Sequence, residues 1–431
     1  MSERFVFTGG HVIDPAAGED AVRDVVVADG VLAGPDAADG AERIDASGLV
    51  IAPGLVDLHT HLREPGDEHK ETVASGTRAA AVGGYTAVAA MANTSPVADN
   101  AAVVQAVRDL AAAAGLCDVF PVGAVTRGRA GDLLADLGEM AAAGVRMFSD
   151  DGTSVPTARL LRNALTYLRA FGDDLVIAEH AEDASLVEGG HMHEGMRSAS
   201  LGLAGRPGEA EEIVVARDLA LARATGGRLH LCHLSSARAV ELVRRAKAEG
   251  IRVTAEVTPH HLTFTDEDLA TYDANLKVNP PLRTAEDRAA LREGLADGTI
   301  DAIATDHAPH AVEEKESEFD VAPPGTIGLE TALPAVIAEV VAPGHVSLAR
   351  AIEAMSTAPG RILGAPDHGG PLEPGRPANL VVFDPDAERV VEALFASKAR
   401  NSAFLGRRVR GSVVYTVLRG AVVVADGKPT R

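Results

Sequence analysis

The chain of 431 residues carries 40 Lys and Arg against 62 Asp and Glu, a formal net charge of −22 with neutral histidines. Such a chain lacks the basic face that nucleic acids and anionic membranes require, and with no Trp, 10 Phe and 4 Tyr it offers little aromatic surface for base stacking. Two cysteines cannot build a disulfide framework, and we find neither an apolar leader nor an apolar stretch of membrane length, so we expect a cytoplasmic protein.

The first 50 and the last 60 or so residues predict short β-strands. The string VVVADG occurs at 25–30 and again at 422–427, and a strand that runs into Asp-Gly is a hairpin signal. Two similar hairpins could arise by chance in a Val-rich chain. We favour the alternative, one small β-sandwich domain built from residues 1–52 and 366–431.

Between these ends, eight short apolar runs alternate with stretches of helical spacing. The runs occupy residues 55–58, 86–91, 119–125, 145–148, 175–178, 228–232, 252–257 and 300–304. The helical stretches occupy residues 69–82, 98–114, 132–143, 157–170, 209–225, 236–249 and 286–296, with two further helices at 329–341 and 347–356. This α/β alternation predicts a (β/α)8 TIM barrel over residues 53–365. A doubly wound open sheet is the alternative, but its glycine-rich phosphate turn is missing.

Five of the eight runs end in residue types that bind metal ions. These are His59 and His61 after the first run, Asp150 and Asp151 after the fourth, His180 after the fifth, His233 after the sixth and Asp306 after the eighth. Alone, a His-x-His pair is more often incidental, and Asp306 could cap a helix. Together, at the barrel mouth where strands end, they predict a site for a metal such as zinc, with a carboxylate able to bridge two ions.

Other polar residues are open to two interpretations. Arg63 points into the same mouth if its strand continues, where it would clamp a carboxylate, or it is a surface residue paired with Glu64 or Glu71. Asn93 ends the second run and Asn279 precedes two prolines, so each could bind substrate or form a turn.

Two further features are interpreted as unrelated to the site. His191 and His193 lie in a glycine-flanked stretch that we expect to be exposed to solvent. Cys232 precedes His233 on a strand, where neighbours point to opposite faces, so we expect it to be a core residue that faces away from the site.

Two long motifs resemble those of one family. The strings DLHTHLREPG at 57–66 and ATDHAPHAVEEK at 304–315 resemble the signatures of dihydroorotases in the cyclic amidohydrolase superfamily. The resemblance extends over nearly the whole chain, and it implies a (β/α)8 barrel with a small β domain. It departs from the family at 397–404, where SKARNSAF replaces the usual Asn-Thr-Pro-Phe ending.

The resemblance implies a set of metal ligands. His59, His61 and Asp306 would bind one zinc ion, and His180 and His233 a second, so that one or two ions, and two by expectation, are held per subunit. Many members of the superfamily bridge the two ions with a carboxylated lysine after the fourth strand. This chain reads MFSDDG at 147–152 instead and resembles the subgroup with aspartate there, which assigns the bridge to Asp151, with Asp150 as the alternative.

It also implies a substrate site. Arg63, Asn93 and His310 would hold the carboxylate of dihydroorotate or N-carbamoyl-aspartate, close to His61. Asn279 would contact the ring amides, and the backbone of Pro324 and Gly325 would close over the ring.

The function implied is zinc-dependent dihydroorotase activity, the reversible cyclisation of N-carbamoyl-L-aspartate to L-dihydroorotate in pyrimidine synthesis. A zinc-bound hydroxide would be the nucleophile and Asp306 the general acid and base. Allantoinase and dihydropyrimidinase are alternatives that Arg63 and Asp151 disfavour. A non-catalytic partner of aspartate transcarbamoylase is a third, which the full ligand set disfavours. A homodimer, and an active enzyme that docks on aspartate transcarbamoylase, are both compatible with the sequence.

Overall fold

A computed structural model describes residues 4–430 of the chain. Five strands precede the barrel: β1 Arg4–Asp14, β2 Glu19–Ala28, β3 Val31–Ala33, β4 Glu42–Asp45 and β5 Val50–Pro53. The middle holds β6 Leu55–Thr60, β7 Tyr85–Ala90, β8 Asp118–Pro121, β9 Met147–Phe148, β10 Val176–Glu179, β11 Met192–His193, β12 Gly205–Arg206, β13 Arg228–Leu231, β14 Val253–Val257 and β15 Ala302–Ile303. The last strands are β16 Leu380–Val390, β17 Arg408–Leu418, β18 Ala421–Ala425 and β19 Lys428–Pro429.

Strands from both ends of the described chain form one sheet of nine strands, in the order β19-β18-β17-β16-β5-β1-β2-β3 with β4 paired to β1. The two halves meet where β5 runs antiparallel to β16 over Val50–Pro53. Both VVVADG strings form hairpins, between β2 and β3 and between β18 and β19. Asp and Gly have positive φ in each turn, as a two-residue hairpin of this hand requires.

Each face of this sheet packs against a different core, because side chains alternate along a strand. Ile51 and Val382 join the apolar cluster on the outer face. Ala52, Val381 and Phe383 point the other way and join the large cluster that also contains barrel residues. The sheet therefore covers the barrel directly. The predicted domain limits, 1–52 with 366–431 and 53–365, stay a prediction.

The barrel is built from eight parallel strands of the described chain. One sheet runs β6-β7-β8 and another β9-β10-β13-β14-β15. Parallel bridges between Gly123 and Phe148 and between Thr60 and His307 join the two sheets on both sides. Each strand overlaps one of the eight apolar runs, so the predicted TIM barrel with a small β domain is confirmed.

Helices follow most barrel strands and cover the outside of the barrel. They are α1 Val73–Val82, α2 Ala101–Ala114, α3 Leu137–Ala142, α4 Ala158–Leu168, α5 Ala184–Val187, α6 Met196–Leu201, α7 Glu209–Thr225, α8 Ala237–Ala248, α9 Pro259–Thr263, α10 Ala285–Asp297, α11 Val312–Lys315, α12 Ala332–Val336, α13 Leu348–Ile352 and α14 Ala358–Leu363. Short π-helical segments at Ile337–Val341 and Glu353–Thr357 extend α12 and α13. Between residues 4 and 430, no helix combines the length and the apolar character needed to cross a membrane.

Candidate metal centre

A bulge in β6 turns the first two candidate ligands into the barrel mouth. Val56 and Leu58 pack in the barrel interior. The pairing of β6 with β7 then shifts between Asp57 and Thr60, so that three residues of β6 span two of β7. Because of this extra residue, the side chains of the adjacent residues Leu58 and His59 both point into the barrel. His61, two residues after His59, points the same way.

The other four candidates follow β9, β10, β13 and β15 at the same end of the barrel. They are Asp151, His180, His233 and Asp306, and all are buried. His233 and Asp306 have φ values of 31° and 45°. Left-handed backbone is uncommon for residues other than glycine, so the fold holds these two side chains in orientations that a regular strand would not give.

His59, His61 and Asp306 form one half of a cluster. Asp306 Oδ1 lies 3.1 Å from His61 Nε2 and 3.5 Å from His59 Nε2. Asp151 Oδ1 lies 3.2 Å from the same His59 atom, and its Oδ2 lies 3.5 Å from His61 Nε2. One carboxylate thus reaches both imidazoles of this half.

His180 and His233 form the other half. His180 Nδ1 and His233 Nε2 are 3.0 Å apart, and each lies 3.6 Å from Asp151 Oδ1. Asp151 therefore lies between the two halves, which is the arrangement expected of a bridging carboxylate. The six residues that the sequence predicts as ligands are brought together.

The outer nitrogen of three imidazoles is occupied by a hydrogen-bond acceptor. His59 Nδ1 donates to Glu256 Oε1 at 2.9 Å, His61 Nδ1 to Asn93 Oδ1 at 2.9 Å, and His180 Nε2 to Glu182 Oε2 at 3.1 Å. Carboxylate and amide oxygens only accept, so these nitrogens carry the ring protons. The inner nitrogens then present lone pairs towards Asp151 and Asp306, as metal ligands do.

This cluster fits a cation. His59 Nε2 and Asp151 Oδ1 are buried and find no hydrogen-bond partner among the described residues, although they are 3.2 Å apart. Lone pairs that face each other at this distance need positive charge between them. Burial opposes a charged His180, yet Asp151 and Glu182 raise its pKa to about 10. Asp151 and Glu182 thus favour a positive charge beside His180, which a bound metal ion would supply.

The adjacent carboxylate, Asp150, faces away from the cluster. It accepts hydrogen bonds from the backbone N–H of Val125 at 2.8 Å and of Thr126 at 3.0 Å, and from the Thr126 hydroxyl. Of the two aspartates that the sequence leaves as alternatives, Asp151 is the one in contact with the histidines.

Arg63 and His310 lie beside the cluster. Arg63 is partly buried, donates from Nε to the Pro309 carbonyl at 3.2 Å and interacts electrostatically with Asp306. Burial and Arg63 lower the pKa of His310 to about 3, so its ring is neutral. Its Nε2 donates to the Pro324 carbonyl at 3.0 Å. To donate to a substrate carboxylate, His310 would have to exchange that carbonyl for the substrate.

The remaining substrate candidates adjoin the ligands. Asn93 bonds to His61, which leaves its amide N–H groups available, and Asn279 Nδ2 lies 3.5 Å from His180 Nε2. Gly325 has a φ of 139°, and a Cβ there would lie 2.9 Å from His310 Nε2. Only glycine lets this backbone approach His310 so closely.

Three residues at the site were missed by the sequence analysis. Glu256 bonds to His59, Glu182 bonds to His180, and Arg206 contacts Glu182 at 3.3 Å and donates to the Asn279 side chain. Glu182, Arg206 and Asn279 line a cavity of about 380 Å³ beside His180. A signal for Glu256 was present, because a charged residue inside a buried apolar run needs a specific partner.

Two interpretations from the sequence are wrong. His191 and His193 are only partly exposed to solvent. His191 precedes β11 and its ring contacts Lys277, whereas His193 belongs to β11, which pairs with β12, and its ring contacts Arg283. Cys232 is a core residue, as predicted, but its predicted orientation is wrong: it lies in the barrel interior close to His59 and Glu256 and faces the underside of the site. The alternation of side chains fails there because His233 has a left-handed backbone.

Comparisons with known proteins agree with this geometry. A model of the family described as Dihydro-orotase-like matches residues 48–239, and one of the amidohydrolase family matches residues 209–424. The chain is 52% identical to a dihydroorotase of Pelotomaculum thermopropionicum over 98% of this chain and 99% of that one. It is 54% identical to a dihydroorotase of Streptomyces coelicolor over 91% and 92% of the two chains.

A solved structure has the same fold. The L-hydantoinase (dihydropyrimidinase) of Arthrobacter aurescens superposes with a TM-score of 0.87 at 29% identity, over 99% of this chain and 97% of that one. The likeness therefore extends over the barrel and the sheet that covers it.

Proposed function

The chain belongs to the dihydroorotase family of cyclic amidohydrolases, and on this basis we propose that it interconverts L-dihydroorotate and N-carbamoyl-L-aspartate. The observation that carries the proposal is the convergence of four histidines and two aspartates on one buried point, with Arg63 beside it. A cyclic amide with a ring carboxylate suits such a site, because the metal centre can address the amide and the guanidinium the carboxylate.

The metal proposed is zinc, with one or two ions per subunit and two expected. His59, His61 and Asp306 would hold one ion, His180 and His233 the other, and Asp151 would contact both. Imidazole and carboxylate ligands of this number suit zinc. A zinc ion in such a site lowers the pKa of water and polarises a carbonyl oxygen.

Asp306 is the proposed general acid and base. Burial opposes its ionisation, but His59 and His61 hold its pKa below the ordinary value, so the group starts as a carboxylate. It would accept the proton of the attacking water and pass it to the leaving ring nitrogen, and the reverse sequence would close the ring. His61 Nε2 lies 3.1 Å from Asp306 Oδ1, so a metal ion bound by both residues would keep that carboxylate in place.

Arg63 is the proposed carboxylate clamp. A guanidinium matches a carboxylate with two parallel hydrogen bonds, and this contact would distinguish dihydroorotate from neutral rings. Asn93, His310 and Asn279, with the backbone of Pro324 and Gly325, would complete the substrate site. Allantoin, hydantoin and dihydrouracil lack the ring carboxylate and would offer Arg63 no carboxylate to bind.

The test is a comparison of four rings. The purified protein would be given dihydroorotate, hydantoin, dihydrouracil and allantoin, ring opening followed by ultraviolet absorbance, and zinc measured on the same sample. We expect turnover of dihydroorotate alone with one to two zinc ions bound. The Asp306→Asn variant should keep its fold and lose activity by about 100- to 10,000-fold.

Other outcomes contradict parts of the proposal. Turnover of a neutral ring instead would move the chain to a neighbouring amidohydrolase activity. Zinc binding without any turnover would favour dependence on a partner such as aspartate transcarbamoylase, or a non-catalytic role. Near wild-type turnover in Asp306→Asn would contradict the role of that residue. The homodimer, the complex with aspartate transcarbamoylase and the cytoplasmic location also stay predictions, and size-exclusion chromatography with and without the partner tests the first two.

A further inference from the structure

A single buried carboxylate, Glu256 of β14, lies beneath the metal centre and contacts both of its halves. Its Oε1 accepts from His59 Nδ1 at 2.9 Å and from the backbone N–H of His233 at 3.3 Å. Its Oε2 accepts from His230 Nε2 at 3.0 Å. The side chain has no exposure to solvent, so these protein contacts replace its hydration.

On one side, Glu256 determines which nitrogen of His59 is free. A charged carboxylate only accepts hydrogen bonds, so His59 carries its proton on Nδ1. The lone pair of His59 Nε2 is then directed at Asp151 and Asp306, which lie 3.2 and 3.5 Å away. Without Glu256, the other tautomer would place a proton where a metal ion must bind.

On the other side, Glu256 holds the backbone of His233. That residue has a φ of 31°, which costs energy for a side chain other than glycine. The bond from its N–H to Glu256 offsets this cost. The resulting turn carries His233 Nε2 to 3.0 Å from His180 Nδ1 and 3.6 Å from Asp151.

Glu256 is itself held in place by donors from below. Since Glu256 only accepts, His230 must donate from Nε2, and its Nδ1 then accepts from the Thr254 hydroxyl at 2.8 Å. The contacts from Thr254 through His230 to Glu256 therefore fix the position of the Glu256 carboxylate beneath the site.

We propose that Glu256 is a positioning residue that couples the two metal subsites, orienting His59 in one and the backbone of His233 in the other. This inference rests on the proposed metal-dependent function. It implies that replacing the Glu256 carboxylate weakens both subsites together, although Glu256 is not itself a ligand.

The test compares the wild-type protein with Glu256→Gln and a matched control, Glu211→Gln. Glu211 is also a buried glutamate and holds the backbone N–H groups of Ser235 and Ser236, at 3.1 Å each, in the connection between β13 and α8. It touches none of the proposed ligands. Zn2+ and Co2+ affinities would be measured by competition with a chelator, together with the visible spectrum of the Co2+ form and the thermal melting curve.

In Glu256→Gln we expect at least tenfold weaker binding at both subsites and an altered Co2+ spectrum, with wild-type affinity in Glu211→Gln. Wild-type affinity in Glu256→Gln, loss at one subsite alone, or equal loss in both variants would overturn the inference. If the wild-type protein binds neither ion, the proposed function fails first.

If Glu256→Gln does not fold, the variant Thr254→Val tests the inference instead, since it removes only the hydroxyl that donates to His230. A loss of about threefold at both subsites is then expected, and an unchanged affinity overturns the inference.

Discussion

Asp150 and Asp151 are adjacent in sequence, yet their carboxylates have different surroundings. Asp150 accepts three hydrogen bonds from Val125 and Thr126 and so joins the ends of two barrel strands. Asp151 lies 3.2 to 3.6 Å from four imidazoles and has no hydrogen-bond donor on Oδ1. Asp150 therefore has the surroundings of a residue that stabilises the fold, and Asp151 has those of a metal ligand.

Asparagine variants of these two residues separate the roles. Asp151→Asn should lose at least one of the metal ions, because a neutral amide is a poor bridging ligand. Asp150→Asn should keep its metal but lower the free energy of unfolding by about 1 to 3 kcal/mol, since a buried charged acceptor is lost. Metal analysis and denaturant unfolding of the same preparations check both. Full metal content in Asp151→Asn would contradict the bridge.

The candidate ligands could be predicted from sequence because the end of each strand in a parallel barrel faces one mouth. Their outer partners could not be predicted in the same way. Glu256 meets His59 across 197 residues, and Glu182 lies two residues after His180 but is aimed by the turn between them. Cys232 was misplaced because a single left-handed residue, His233, interrupts the alternation on which the prediction depended.

At the level of elements, helix α7 and strand β10 bring two buried carboxylates together. Arg217 donates to Asp218 Oδ1 at 2.7 Å and lies 3.7 Å from Glu179 Oε1. The other oxygen of each carboxylate is buried without a hydrogen bond among the described residues. Burial, only partly offset by Arg217, raises the pKa of Asp218 to about 6, and burial and Asp218 raise that of Glu179.

This contact should make stability depend on pH. Between pH 4 and 6 the native state binds more protons at Asp218 than the unfolded state, so the free energy of unfolding falls as the pH rises through 6. The difference between the native and the ordinary pKa of Asp218, roughly two units, corresponds to about 3 kcal/mol in the free energy of unfolding. Asp218→Asn should flatten this dependence and melt at least as high as the wild type at pH 8. The exposed Glu209→Gln on the same helix serves as control, and an unchanged pH profile in Asp218→Asn would contradict the assignment.

The elements themselves were largely predictable. The spacing of apolar residues along the sequence predicted all eight barrel strands and the main helices. It does so because the pattern of apolar residues shows locally whether one or both faces of an element are buried. The bulge in β6 was not predictable, although the position of both first-strand histidines depends on it. The short strands β11 and β12 were not predictable either. Their two-residue pairing partly buries His191 and His193.

At the level of the whole molecule, the sheet and the barrel share one core. Ile13, Ala52 and Phe383 of the sheet belong to the same apolar cluster as barrel residues. Gly84, in the turn before β7, shows how close the contact is, since a Cβ there would lie 2.7 Å from the Val381 side chain. Two units that share a core in this way should not be stable apart.

A fragment limited to residues 53–365 tests this expectation and the predicted domain limits together. Without β5 and β16 the fragment would expose apolar surface, and we expect it to be insoluble or to lack a cooperative thermal transition. Circular dichroism melts and zinc binding of the fragment, beside the full chain, are the measurements. A fragment that melts cooperatively and retains zinc would show instead that the barrel is an independent domain.

The pairing of β5 with β16 also has a consequence during synthesis on the ribosome. The two strands are more than 300 residues apart, so β5 leaves the exit tunnel long before its partner exists. At cellular translation rates of about 5 to 20 residues per second, that delay is on the order of tens of seconds. For this period a wholly apolar strand edge is open to neighbouring nascent chains. The speed of translation through the barrel, rather than the final stability, then determines how long this strand edge stays unpaired.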